Sequence, residues 1–292
     1  MQITLANPAT AGNLPGTPLQ QSDTYAAVMR SFGCETAVMD VTEDGAQIAR
    51  ARSYARRVGP LRIAWLPRGP VWATGASTDQ KNRALAGLSR AAPWRALWAI
   101  GADAGQPRKG LPVAKGVQMA ELNLTGSEAA RRSAQHGKWR NRLGRAENLD
   151  LAVTIRPLDL ARDGPLLAQE AAQRAQRRYA TLPHKFIAKW TQIAPDGTLI
   201  LIAEEQGTPV AFMLMLLHAP TATYHIGWTG PHGRSLNAHT LLMWRASCHL
   251  AQAGYKRLDL GRTDTARIPG ITRFKTGTGA VLRDLGATTL CL

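Results

Sequence analysis

Between Leu260 and Gly279 the chain reads Leu260-Gly261-Arg262-Thr263-Asp264, then Ile268-Pro269-Gly270-Ile271-Thr272-Arg273-Phe274-Lys275-Thr276-Gly277-Thr278-Gly279. Arg262, Asp264, Arg273 and Lys275 thus stand on a glycine-rich, irregular stretch that follows a predicted strand. Such loops leave backbone amide donors free, and functional residues concentrate on them. A cation held there can stabilise a phosphate or a developing oxyanion. A second set of cations, Lys138, Arg142 and Arg145, recurs at helical spacing. Trp139, Leu143 and Ala146 form an apolar stripe about 100° round the same helix, so the charged stripe faces outward, toward solvent or phosphate. The turn Pro67-Arg68-Gly69-Pro70 is expected to expose Arg68 with its neighbouring amides, and His225 stands beside Tyr224 on a predicted strand.

Other chemistries lack their residues. There is no GxGxxG after a strand, no GxxxxGK[ST], no HExxH and no GxSxG. His218, His225, His232, His239 and His249 lie close in sequence, but their spacing matches no metal site, so no metal is expected. Cys34, Cys248 and Cys291 are odd in number and far apart, which reads as free thiols in a reducing compartment.

The elements that must position these residues alternate strand and helix. A helix over Leu19–Phe32 is capped by Ser22 and stopped by Gly33, a strand covers Glu35–Val41, and Ala46–Arg57 reads as helical. A strand at Leu61–Leu66 leads into the Arg68 turn; a helix at Thr78–Ala91 and a strand at Ala96–Gly101 follow. After a strand at Gln118–Leu124, the spacing Thr125-Gly126-Ser127-Glu128 predicts a capped helix reaching Asn148. The second half reads as helices Pro165–Tyr179 and Lys185–Ile193, then a hairpin of Leu199–Ala203 and Val210–His218 turning at Glu205–Thr208. A strand at Thr223–Trp228, a helix at Asn237–Ala253 and a strand at Lys256–Leu260 complete it. Helix-then-strand at Thr78–Gly101 is echoed at Asn237–Leu260, so two related α/β halves are expected, meeting between 110 and 155.

The 292 residues carry 36 Lys plus Arg against 20 Asp plus Glu, a formal net charge of +16. A hydrophobic share of 45% excludes a disordered chain. The charge is uneven: Arg30 is the lone basic residue of the first 49, whereas clusters span 50–62, 131–145, 174–189 and 256–283. Such clusters attract phosphate-bearing partners and release counterions. The N-terminus lacks the basic and apolar regions of a signal peptide. The apolar run Val210–Leu217 is far short of the ~20 residues a membrane helix needs. A cytoplasmic protein is expected.

Four pieces, in order, resemble the Fem family (FemABX) of aminoacyl-tRNA-dependent peptidoglycan-bridge transferases. They are Leu19-Gln20-Gln21-Ser22 before Tyr25; Trp65-Leu66-Pro67-Arg68-Gly69-Pro70-Val71; Glu121-Leu122-Asn123-Leu124 ahead of Lys138-Trp139-Arg140-Asn141-Arg142-Leu143; and Arg273 to Gly279. The resemblance implies an α/β fold with mixed sheets in tandem acetyltransferase-like (GNAT) domains. These are expected at 1–150 and 151–292, with the acyl-transfer site in the second. It implies transfer of an aminoacyl group from tRNA to an amine on a cell-wall precursor, with no cofactor and with the acceptor nucleotide- or lipid-linked at the inner membrane face. The family's Phe-Lys motif falls on Phe274 and Lys275, the lysine stabilising the tetrahedral intermediate. Its strand tyrosine falls on Tyr224, and the arginine that helps hold the nucleotide-linked acceptor on Arg178. Arg68, His225, Arg262, Asp264 and Arg273 are then expected at the substrate, and Lys138, Arg142 and Arg145 at the tRNA. An aminoacyl ester is already activated, so positioning and an electrostatic clamp suffice without a triad or metal.

Two departures stand out. A basic residue the family places near its N-terminus, against the acceptor's diphosphate, falls on Met29 with Arg30 next door, and the chain is too short for a long helical arm. A peptide, lipid or secondary-metabolite amine therefore stays open as acceptor. So does an acyl-CoA-dependent GNAT reaction, although Gly230-Pro231-His232-Gly233-Arg234-Ser235-Leu236-Asn237-Ala238 lacks the [QR]xxGx[GA] spacing of a pyrophosphate loop. A non-catalytic RNA-binding module is the third reading; aromatics, at 6%, are sparse for stacking bases.

Overall fold

A computed structural model describes residues 1–8, 11–103, 110–177 and 181–291. The chain forms two compact units, Met1–Met119 with Arg283–Leu292, and Ala120–Leu282. The division expected at 150 therefore falls inside the second unit. The tail returns because its last strand completes the first unit's sheet.

In chain order the first unit holds β1 (Gln2–Ala6), α1 (Asp23–Ser31), β2 (Glu35–Glu43), β3 (Ala46–Val58), β4 (Leu61–Gly69), β5 (Val71–Trp72), α2 (Thr78–Ala91), β6 (Leu97–Ala102) and β7 (Leu111–Ala114). Then come β8 (Gln118–Asn123), α3 (Glu128–Ser133), α4 (Gly137–Glu147), β9 (Ala152–Arg156), α5 (Leu160–Arg177) and α6 (His184–Ile193). The remainder is β10 (Thr198–Glu205), β11 (Thr208–His218), β12 (Thr221–Thr229), α7 (Pro231–Ser235), α8 (Ala238–Gln252), β13 (Arg257–Thr263), α9 (Pro269–Gly277), β14 (Val281–Asp284) and β15 (Thr288–Cys291).

The first sheet runs β1-β2-β3-β4-β6-β15-β7, with β5 on β3. The expected helix at Ala46–Arg57 is instead strand β3. Asp44-Gly45 forms the turn before it, both residues at positive φ (50° and 77°), as a two-residue hairpin loop requires. β3 then pairs with β2 and β4 on either side, and this pairing overrides the helical preference of alanine and arginine. Arg52, at 1% exposure, is sealed beneath the segment ahead of α1. Its guanidinium donates to the carbonyls of Gln21 and Gly12 and pairs with Asp23. Ser22 caps α1, accepting from the Tyr25 amide. The parallel strands β4 and β6, joined through α2, stay paired from Ile63↔Leu97 to Gly69↔Ala102.

The second sheet runs β14-β8-β13-β12-β11-β10-β9. β11 is buried at its centre, and its side chains alternate between two cores, as strand geometry demands. Met213 and Met215 join Trp139 and Leu143 of α4 and Leu241, Leu242 and Trp244 of α8. Phe212 and Leu214 join Leu167 of α5 and Ile187 of α6. The single helix expected up to Asn148 is two, α3 and α4. Ser127, not Thr125, caps the first, and Ala134, Gln135 and His136 separate them. As in the first unit, a strand–helix–strand passage (β12, α8, β13) makes a parallel pair, but this one holds only at Thr221↔Arg257, Ala222↔Leu258 and Thr223↔Asp259.

Arg52→Met keeps the aliphatic stem but strips donors from two carbonyls and from Asp23. It is expected to lower unfolding free energy by about 2–3 kcal/mol, read as a reduced urea midpoint. An unchanged midpoint would show that water replaces the guanidinium.

Candidate functional site

Beyond Thr223 and Asp259 the strands β12 and β13 part, and the candidate site lines the wedge between them. A β-bulge lies in β12: Leu214 opposes Ile226 and Met215 opposes Tyr224, which leaves His225 as the extra residue. The bulge reverses the side-chain alternation. Ile226 consequently packs on the α5/α6 core, whereas Tyr224 packs with α4 and α8. Gly227 is needed here, because a Cβ would lie 2.6 Å from Tyr224 Oη and 3.4 Å from His239 Nε2.

His239, on the first turn of α8, places Nε2 2.9 Å from the Trp228 carbonyl and 3.3 Å from that of Phe212. Both partners are acceptors, so Nε2 carries the proton. Burial lowers the imidazole's pKa to about 4, and the ring is neutral at pH 7. Its ring centroid is 6.2 Å from that of Phe274, which in turn lies 6.3 Å from that of Trp139. These contacts set the rotation of α9 and so aim the neighbouring Lys275.

Lys275 is 7% exposed. Its Nζ donates to the Arg262 carbonyl at 2.7 Å, a group of β13 left over where the pairing with β12 has ended. Burial lowers its pKa from 10.5 to about 8, and buried Asp259 opposes the shift. One N–H of the ammonium is spoken for, and two remain for an incoming oxyanion. A cation in a low-dielectric wedge with a fixed acceptor behind it is preorganised for that task.

The glycines of this segment do something other than leave amides open. Residues 269–277 are helix α9, not irregular backbone. A Cβ on Gly277 would lie 2.4 Å from Trp139 Cδ1, and one on Gly279 3.0 Å from the Ala134 carbonyl. The Gly277 carbonyl accepts from the His136 amide at 3.0 Å. These glycines therefore press α9 onto the start of α4.

The other expected residues divide. Arg262 is exposed on β13 and Arg273 on α9 itself. The Asp264 side chain accepts from the amides of Ala266 and Arg267, forming the turn that leads to α9. Lys138, Arg142 and Arg145 point outward from α4, with Trp139, Leu143 and Ala146 inward, as the sequence spacing predicts. His225 belongs to the other face of the sheet. There burial, then the charges of Arg174 and His184, lower its pKa to about 4. Sequence reading missed the buried Glu170, whose Oε2 lies 3.9 Å from Arg174 and 3.7 Å from His184; nothing in the spacing marks it. Arg68 lies in the first unit. Its guanidinium is not presented on an open turn: the side chain is 11% exposed and its Nε is 3.8 Å from Asp103. The residue has φ of 51°. Arg178 lies outside the described residues.

A titration follows from Lys275. The folded chain releases this proton near pH 8, whereas the unfolded chain holds it to about 10.5. Between those values the unfolded state binds more protons, so on this group's account stability rises with pH across that window. Urea midpoints at pH 8 and 10 should show a rise in the native protein that Lys275→Met removes.

The comparisons with known proteins agree with this architecture. The acetyltransferase (GNAT) domain family matches residues 130–276, just over half the chain and the whole of the wedge. No curated protein matches the sequence. Among solved structures, FemX superposes with a TM-score of 0.75 at 11% identity, covering 98% of this chain and 96% of its own. The C-terminal domain (DUF2156) of a putative lysylphosphatidylglycerol synthetase from Agrobacterium fabrum gives 0.51 at 16% identity, over 93% and 88%. A tandem GNAT protein from the clavulanic acid biosynthesis pathway gives 0.50 at 10%, over 99% and 98%. The chain belongs to the acetyltransferase (GNAT) domain family, which makes it an acyltransferase, and its fold is that of FemX and the tandem GNAT proteins.

Proposed function

We propose that this acyltransferase moves an aminoacyl group from aminoacyl-tRNA to an amine acceptor, a peptidoglycan precursor or another amine at the membrane surface. The observation that carries the reading is the ammonium of Lys275, buried and bonded to the Arg262 carbonyl on the part of β13 that has left β12. The amine would attack the ester carbonyl, and charge would gather on the carbonyl oxygen and be held by Lys275. On collapse the carbonyl carbon's bond to the ribose oxygen would break, that oxygen taking up the proton the amine gives up. Tyr224, on the same face, would orient the acyl group. The outward stripe of Lys138, Arg142 and Arg145 supplies phosphate-facing cations, and α4 is bound to α9 through Gly277 and Trp139. No helix of the described residues is long and apolar enough to cross a membrane.

The family match favours a second reading, with acyl-CoA as donor. Against it stand the residues between β12 and α8. The amides of Gly230, Arg234, Leu236 and Asn237 are already bonded to backbone carbonyls. A Cβ on Gly233 would lie 2.2 Å from the Val210 carbonyl, so this glycine packs onto β11. Few donors stay free there for a pyrophosphate.

The test supplies a bulk tRNA pool charged with labelled amino acids, together with extract from the protein's own cells, and follows label into RNase-resistant product. Transfer is expected with the intact enzyme and should fall about a hundredfold in Lys275→Ala. In the native protein kcat/KM should decline above about pH 8, as the ammonium loses its proton. Transfer from acetyl-CoA alone would replace this reading with the second. Reversing Lys138, Arg142 and Arg145 to Glu should weaken tRNA binding and flatten the slope of log affinity against log salt by about two to three. An unchanged slope would leave that stripe a solvated surface.

A further inference from the structure

The β3–β4 hairpin of the first unit plays no part in the chemistry of the wedge. Across its turn, Gly59-Pro60, the register pairs Val58 with Leu61, Arg57 with Arg62 and Arg56 with Ile63. Val58 is 57% and Leu61 63% exposed. As direct cross-strand partners they form one aliphatic pair at the apex. One step back, Arg57 and Arg62 oppose each other, a like-charge pairing that destabilises a hairpin unless an anion answers it. Arg62 lies 3.2 Å from Glu35, while Arg56 and Arg57 are exposed.

More positive charge gathers at this end of the sheet. Arg30, near the close of α1, donates to Thr36 beside the start of β2. Arg90 and Arg95 precede β6, whose Leu97 pairs with Ile63. At the opposite end, by the β2–β3 turn and the start of α2, the charges are mixed: Arg83 pairs with Glu43 and Asp79, and the N-terminal ammonium lies 3.9 Å from Glu43. Exposed arginines thus gather around the β3–β4 turn, with two aliphatic side chains at its tip.

We propose that this tip docks the protein on an anionic lipid bilayer, with Val58 and Leu61 entering the acyl boundary and the surrounding arginines meeting headgroup phosphates. Weak apolar insertion and a cluster of cations are individually marginal anchors and together sufficient. RNA fits the apex less well, since stacking on bases calls for aromatic side chains. The inference deepens the membrane-surface acceptor reading above. It is measured without donor or acceptor, so either can fail alone.

The experiment is flotation of the full chain with vesicles of phosphatidylglycerol and phosphatidylcholine in equal parts, and with phosphatidylcholine alone. Binding is expected to the mixed vesicles and to weaken with salt. V58S/L61S should bind about tenfold more weakly at an unchanged melting temperature, V58I/L61I should bind as the native protein does, and R56A/R57A should lose on the order of twentyfold. Failure of the native protein to float, or undiminished flotation of V58S/L61S, would overturn the proposal. So would an R56A/R57A protein that still floats but no longer retains bulk tRNA, which would make this face an RNA surface.

Discussion

Parallel strands tend to stay paired over their common length, because a buried amide or carbonyl left without a partner costs about 1–3 kcal/mol. β12 and β13 separate after three pairs, and the groups released must be met elsewhere. The Gly261 amide turns to the buried Asp259 carboxylate at 2.7 Å, and the Arg262 carbonyl takes Lys275 Nζ. The ammonium that faces the wedge is therefore also what closes the hydrogen-bond account of the wedge's wall. Its depth follows from this double duty, and so does its lowered pKa. A lysine placed only for chemistry could sit nearer water; this one is held where the strand requires it.

The two units use the same strand–helix–strand passage to different ends. In the first, β4 and β6 pair along their shared length, and the carbonyl end is occupied by Arg68 leaning toward Asp103, itself bonded to Arg283. In the second, the bulge at His225 and the early end of pairing open the sheet. One passage is a wall and the other a mouth. The difference lies in a few backbone hydrogen bonds.

Phe274 and Lys275 were singled out by the family resemblance, whereas the stripe on α4 and the passage from β12 through α8 to β13 were legible in the sequence, since each rests on periodicity or local signals that survive packing. β3 was not. Its alanines and arginines favour a helix locally, and only Asp44-Gly45 signals the hairpin that seats it between two neighbours. α9 was misread for the opposite reason. Glycines that suggest a loop serve there to bring α9 against Trp139, a contact made across the fold and invisible along the chain. Glu170 and Arg174 escaped notice because their meeting with His184 and His225 depends on which way α5 turns once docked.

The bulge in β12 bears on how this strand can change length over time. Because His225 is supernumerary, Tyr224 and Gly227 share a face that simple alternation would deny them. Removing one residue between Tyr224 and Gly227 would close the bulge and restore a regular ladder, with Tyr224 still opposite Met215 and Gly227 still opposite Met213. Substitutions along this stretch can be absorbed side chain by side chain. A deletion would instead take away the bend and added twist that the extra residue gives β12 beside its parting from β13, so the opening of the sheet is tied to residue count here as well as to residue identity.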